Sequence, residues 1–107
     1  MGFKYLASPY SHPDLTVRGA RYTYARTAVA NLLAKKIWVY SPIVHCHELA
    51  LAHDLPMEAE FWWEYNRTML AASSGLLILK IDGWEESAGV KQEREYAEAI
   101  KLDWSYL

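Results

Sequence analysis

Between Leu76 and Ile81 the chain reads L-L-I-L-K-I, a run in which Lys80 alone is polar. A strand with one wet face alternates apolar and polar residues, so a run without alternation reads as a strand buried on both faces, the situation of a parallel sheet covered by helices. Parallel neighbours need helical crossovers between them, and the rest of the chain supplies the alternation. Lys4 to Ser8 is a short apolar strand stopped by Pro9, followed by a polar loop from Tyr10 to Asp14. Thr16 to Lys36 reads as an amphipathic helix, with Ala20, Ala28, Leu32 and Leu33 at helical spacing. Ile37 to Tyr40 is a second strand closed by Ser41 and Pro42, and Val44 to His53 a short helix. Pro56 is expected in the first turn of a third helix reaching Ser73, and Ser87 to Leu102 form a fourth. The final D-W-S-Y-L is either an edge strand or a packed tail. The expected fold is therefore α/β, a doubly wound, flavodoxin- or Rossmann-like three-layer sandwich with a four- to five-stranded, mainly parallel sheet.

With 107 residues, positions 1–107 form one domain, so no interdomain cleft is available unless another copy supplies the far wall. Ligands of such sheets bind at the carboxyl ends of the strands, here Ala7 to Tyr10, Ser41 to His45 and Asp82 to Gly89. Eleven basic and thirteen acidic residues give a net charge of −2, and the basic ones are scattered, which argues against a nucleic-acid polymer as partner. No apolar run approaches the ~18 to 20 residues that span a bilayer, and the N-terminus lacks a signal-peptide core. Gly2 follows Met1, but Leu6 stands where a myristoylation signal needs Ser or Thr. Cys46 is the one cysteine and can form no internal disulfide, so a reducing, cytoplasmic setting is expected. Five Trp and eight Tyr are many for this length and suit a core and a subunit interface.

The segment after the long apolar run, S-A-G-V-K-Q-E-R-E-Y-A from Ser87 to Ala97, has the layout of an active site. With Ser87 as helix cap, the backbone N–H groups near Gly89 and Val90 form an anion-accepting helix start, and Glu93 falls in the second turn. Spacing alone favours an ordinary capped helix with a solvated Glu93. The alternative is a carboxylate at a strand-end cleft, with Tyr5 on the adjacent strand to orient it. Without a metal such a group acts as general acid, general base or nucleophile, most often at a glycosidic carbon. Tyr5 reads equally well as a core tyrosine.

Other chemistries fit less well. His45, Cys46 and His47 are consecutive and cannot all face one ion on a regular element, and the histidines of H-E-L-A-L-A-H are six apart where a zinc helix needs four. No metal site is expected. The loop Ser8, Tyr10, Ser11, His12 lacks the glycine fingerprint of dinucleotide-binding folds, which removes most support for a redox enzyme. His45, at the end of the second strand, is expected to touch substrate.

The order Y-L-A-S-P-Y, then an aromatic stretch ending in Tyr65-Asn66, then L-L-I-L-K-I-D-G-W-E-E-S-A-G-V-K-Q-E resembles the nucleoside 2-deoxyribosyltransferase superfamily over nearly the whole chain. Within it the chain looks most like a small subfamily of bacterial and phage proteins, and it is similar also to 2′-deoxynucleoside 5′-phosphate N-hydrolases. The resemblance implies that Glu93 is the nucleophile that attacks the anomeric carbon and forms a glycosyl-enzyme ester. It implies that Tyr5 positions Glu93, and that Ser8 and Tyr10 pack against base and sugar. Asn66 stands where the family usually has an aspartate serving as acid or as a clamp on the leaving base. An amide hydrogen-bonds a base but has no carboxylic proton to give. Ser87 stands where members acting on free nucleosides tend to have aspartate and members acting on nucleoside 5′-monophosphates have serine, which tilts toward a phosphate; Glu85 and Glu86 tilt back.

The expected activity is cleavage of the N-glycosidic bond of a nucleoside or nucleoside 5′-monophosphate through a covalent glycosyl-Glu93 intermediate, as a hydrolase or as a deoxyribosyltransferase. No cofactor is expected, and a homodimer or larger homo-oligomer is. The alternative is a non-catalytic nucleotide-binding or sensing module that has lost its partner acid.

Overall fold

The computed structural model describes residues 2–107. In chain order the elements are β1 (Lys4–Ala7), α1 (Leu15–Ala34), β2 (Val39–Tyr40), α2 (Pro42–His53), α3 (Ala59–Ala72), β3 (Gly75–Ile78), α4 (Ala88–Ala99) and β4 (Trp104–Tyr106). The strands form one sheet in the order β2-β1-β3-β4, with every pairing parallel. This is the α/β doubly wound sandwich expected. From β1 the chain goes outward to β2 on one side and then returns to build β3 and β4 on the other, so the strand order reverses between β1 and β3. Right-handed crossovers then put α1 and α4 on opposite faces of the sheet.

Being central explains the composition of β1 and β3. Tyr5, Leu6 and Ala7 are all fully buried, and Leu76 and Ile78 nearly so, because helices cover both faces of these strands. Leu70 of α3 and Val90 and Ala97 of α4 pack onto the same core. The apolar run itself is shorter as a strand than its sequence suggests. Pairing stops at Ile78, and Leu79 makes one further bond to the Ala7 carbonyl before Ile81 folds back onto the Leu79 carbonyl. The neighbour, β1, has ended at Ala7 just before Pro9, which has no N–H to give, so residues 79 to 81 have no ladder to continue.

Side-chain caps set the helix starts. Asp14 accepts from the Thr16 N–H at the head of α1, Ser41 from Val44 at α2, and Ser87 from Val90 at α4. The proline in a first helical turn is Pro42, not Pro56 as expected: Ser41-Pro42 combines a cap with a residue preset for helix, and α2 begins there. Pro56 lies in the loop before α3, its carbonyl accepting from the Trp62 indole at 2.8 Å, and α3 starts at Ala59 without a side-chain cap. The second strand shrinks to Val39–Tyr40, leaving Ile37 and Trp38 exposed before it. The C-terminal segment, open between strand and tail, is the edge strand β4 beside β3. Among the described residues no helix is long and apolar enough to cross a membrane.

Leu70 has no exposed surface and joins α3 to the sheet, so Leu70→Ala is expected to lower unfolding free energy by about 2–5 kcal/mol. Urea denaturation followed by circular dichroism measures it, and a loss below ~1 kcal/mol contradicts this account of the core.

Candidate active site

A cavity of about 600 Å³ opens at the carboxyl ends of β1 and β3, where the strand order reverses. That volume suits a small-molecule ligand, and the position is where doubly wound sheets bind theirs. Three helices line it with stripes set by helical periodicity. From α2 come Ile43, Cys46, His47 and Ala50; from α3, Ala59, Trp62, Trp63 and Asn66; from α4, Ala88, Gly89, Gln92 and Glu93. Ser8, Tyr10, Ser11 and His12 enter from the β1–α1 loop, and Asp82, Gly83, Glu86 and Ser87 from the β3–α4 loop.

Glu93 is buried, contrary to the solvated reading that spacing alone favoured, and its carboxylate accepts a hydrogen bond from the fully buried Tyr5 hydroxyl. Residue 93 is near the head of α4, and Tyr5 is on the strand beside the one that feeds that helix. The partners are 88 residues apart in sequence and meet because β1 lies next to β3. Burial pushes the Glu93 carboxyl up to about 8, against the pull of the Tyr5 hydrogen bond. The Tyr5 hydroxyl is raised far above its ordinary range, by burial first and then by the adjacent carboxylate. Tyr5 therefore stays a proton-bearing donor, and Glu93 is an acid whose titration burial has brought toward neutrality.

The expected residues divide by their place around this cavity. Ser8, Tyr10, Asn66, Ser87, Gly89 and Glu93 line it together, and Tyr5 stands behind Glu93. The Ser8 Oγ and Asn66 Oδ1 are buried without a protein partner, leaving hydrogen-bonding capacity at the cavity wall. The Ser87 Oγ accepts the Val90 N–H at 3.1 Å, so that amide is not free for an anion as the sequence suggested. The N–H groups of Ala88 and Gly89 have no partner within the helix, and the Ser87 hydroxyl proton is still available to a ligand.

His45 is not in the cavity wall. Treating residues 41 to 45 as a strand end made His45 a substrate contact, but Ser41-Pro42 starts a helix there. On α2 the inward stripe is 43, 46, 47 and 50, so His45 points elsewhere, exposed and stacked on Tyr65 with ring centroids 5.5 Å apart. His47 takes the inward place, its Nδ1 paired with the Tyr10 hydroxyl. Trp62 and Trp63 follow the same logic, one turn before Asn66 on α3.

Arg21, like His47, Trp62 and Trp63, also lines the cavity and carries no motif that marks it in the sequence. It lies on α1, its Nη1 donating to the Ser11 carbonyl at 3.0 Å, with its guanidinium against Gly83. Gly83 has φ of +93°, and a Cβ there would stand 2.2 Å from Arg21 Nη2. The glycine thus both makes the turn and leaves room for the cation. Among the described residues no three His, Cys, Asp or Glu side chains converge as a metal cluster.

The Glu93 carboxyl yields a pH signature. The folded protein holds a proton up to about pH 8 that the unfolded chain releases near 4.5, so this group's contribution to stability is complete below pH 4.5 and is lost as pH rises through 8. Glu93→Gln keeps an acceptor for Tyr5 and has no charge to bury. Thermal melts from pH 5 to 9 are expected to show a wild-type decline that Glu93→Gln lacks, the variant being the more stable at pH 9. Parallel curves contradict the burial of this carboxyl.

No curated protein matches the sequence. A family model described as a domain of unknown function, DUF1937, matches residues 2–105, nearly the whole chain. The chain belongs to this DUF1937 family.

Proposed function

We propose that the protein is a divergent member of the nucleoside 2-deoxyribosyltransferase superfamily that cleaves the N-glycosidic bond of a nucleoside 5′-monophosphate. The observation that carries this reading is a buried glutamate, held by Tyr5, at the wall of a ligand-sized cavity. In its ionised form Glu93 attacks C1′ of the sugar, whose oxocarbenium character in the transition state a carboxylate stabilises. The Tyr5 hydroxyl fixes the orientation of that carboxylate. A glycosyl ester forms, and water or a second base releases the sugar.

Arg21 favours the phosphorylated substrate. It sets a cation against the β3–α4 loop, close in sequence to Ser87 and the open N–H groups of Ala88 and Gly89. Anions bind at helix starts, and a guanidinium matches phosphate geometry. Glu86 also lines the cavity, exposed, and opposes an anion less than a buried carboxylate would. The aromatic rings of Trp62 and Trp63 offer flat apolar surface for a base, and the unpartnered Asn66 Oδ1 an acceptor for its amino or ring N–H. The protein is proposed to act in the cytoplasm as a homodimer or larger, for which exposed Trp38, Phe61 and Leu51 supply apolar surface.

A nucleotide-binding module without chemistry is the second reading. It is favoured by the amide at Asn66 and by a Glu93 carboxyl that burial keeps largely protonated at neutral pH. Calorimetric titration with mononucleotides, beside a base-release assay, separates the two: binding without release, persisting in Asn66→Asp, selects the module.

Chromatographic screening of nucleosides and their 5′-monophosphates for free base tests the main reading. Glu93→Ala is expected to lose at least ~10³-fold in kcat. Trapping with a 2-fluoro-2-deoxyribosyl nucleotide is expected to add the glycosyl mass at Glu93. Turnover unchanged in Glu93→Ala overturns the mechanism. For Arg21→Ala the KM for the monophosphate is expected to rise about tenfold, equivalent to ~1.4 kcal/mol, with no such change for the nucleoside.

A further inference from the structure

We infer that Tyr10 and His47 together are the acid that protonates the departing base, a task for which the Asn66 amide has no acidic proton; the inference rests on the glycosidic reading of Glu93. Both residues line the cavity, and the Tyr10 hydroxyl is hydrogen-bonded to His47 Nδ1. The imidazole is held by neighbours from the β1–α1 loop and from α1. Its ring stacks on Tyr22 of α1 at 4.1 Å and 19°, and the Tyr22 hydroxyl donates to Glu48 Oε1 at 2.8 Å. Arg26 lies 5.3 Å from the centre of the Tyr22 ring. A histidine fixed this firmly, with one nitrogen committed to a hydroxyl in the same cavity, has the construction of a proton relay.

The remaining cavity groups are less suited. Burial pushes the Cys46 thiol up to about 11, and unlike the Tyr10 hydroxyl, which burial also raises, it has no hydrogen-bonded imidazole to resupply a proton. Asp82 and Glu86 are exposed and sit on the α4 side, beside the proposed phosphate contacts. Tyr5 is committed to Glu93.

In the first half-reaction a Glu93 carboxylate oxygen bonds to C1′ and the C1′–N bond breaks, its electron pair passing to the base. The Tyr10 O–H gives its proton to the base nitrogen and recovers one from Nδ1 of the imidazolium of His47. In the second half-reaction the oxygen of water bonds to C1′, the ester bond to Glu93 breaks, and the water proton returns through Tyr10 to His47. The cycle closes with Glu93 ionised and His47 protonated.

The groups facing His47 are Tyr10 from the β1–α1 loop, Tyr22 from α1 and Glu48 from its own helix; burial raises the Tyr10 hydroxyl, with Arg18 opposing. Burial lowers the imidazole below its usual range, with Glu48 opposing. At neutral pH the single proton of these two groups rests on Glu93, which burial raises, and not on His47, which burial lowers; the productive arrangement has it on His47. Losing that proton above pH about 8 removes the acid, so the wild-type rate is expected to fall there.

The test compares two kinds of leaving group. One arm uses the common ribo- and 2′-deoxynucleoside 5′-monophosphates. The other uses 4-nitrophenyl 2-deoxyriboside 5-phosphate, whose nitrophenolate departs without a proton. His47→Gln and Tyr10→Phe are each expected to lower kcat on the nucleotide ~10²-fold or more, while kcat on the nitrophenyl substrate changes less than about threefold. His47→Gln is also expected to lose the alkaline fall. Equal losses on both substrates, or no loss on either, overturn the donor assignment while leaving Glu93 as nucleophile. A wild type inert toward every substrate overturns the glycosidic reading and the donor with it. Tyr10→Phe removes one hydroxyl without changing the packing of the ring, so it decides the matter even if His47→Gln folds poorly.

Discussion

The hydrogen bond from Tyr5 to Glu93 is the contact on which the site depends. It joins the central strand to the helix that leaves the next strand, and both partners are out of water. A buried carboxylate is costly unless something donates to it, and here the donor is a hydroxyl whose own ionisation burial suppresses. The pair can form only if β1 and β3 are neighbours in parallel register, Tyr5 opposite Leu76, so the topology of the sheet and the chemistry of the site stand or fall together.

Around that pair the cavity follows from ordinary helix geometry. The reversal of strand order between β1 and β3 leaves a gap at the carboxyl ends of the strands, and α2, α3 and α4 each turn one stripe toward it. Residues three and four apart on a helix share a face, so one correctly placed residue on each helix brings its neighbours in the stripe with it. Glu93 thus brings Gly89, and Gly89 in turn Gln92; Asn66 brings Trp62 and Trp63, and Cys46 brings Ile43 and Ala50. Arg21, held against Gly83, ties α1 to the turn after β3 and lines the cavity beside those stripes.

The site also runs against the stability of the fold. An ionised Glu93 is disfavoured by the same burial that shields it from water, and the unpartnered Ser8 and Asn66 oxygens add polar atoms without partners. Such concentrations of unmet polar demand are characteristic of functional sites, where a ligand supplies the missing partners.

Much of the architecture was legible in the residues. The unalternating Leu76 to Ile81 run implied a covered parallel sheet, and Ser87 capping the helix that carries Glu93 was visible in the spacing, because burial pattern and capping are local consequences of residue type. What local pattern could not supply was direction. Pro56 and Pro42 are both candidates for a first helical turn, and only the adjacent Ser41 cap and the packing of the Trp62 indole on the Pro56 carbonyl distinguish them. That choice turned α2 so that His47 faces inward and His45 outward. Arg21 carries no motif, and its role exists only because α1 lies against Gly83. Residue type and spacing determined most of the elements and marked Glu93 as a candidate without placing it; tertiary packing decided that Glu93 is buried, that Tyr5 reaches it, and which histidine shares its cavity, because burial and orientation depend on contacts between segments far apart in the chain.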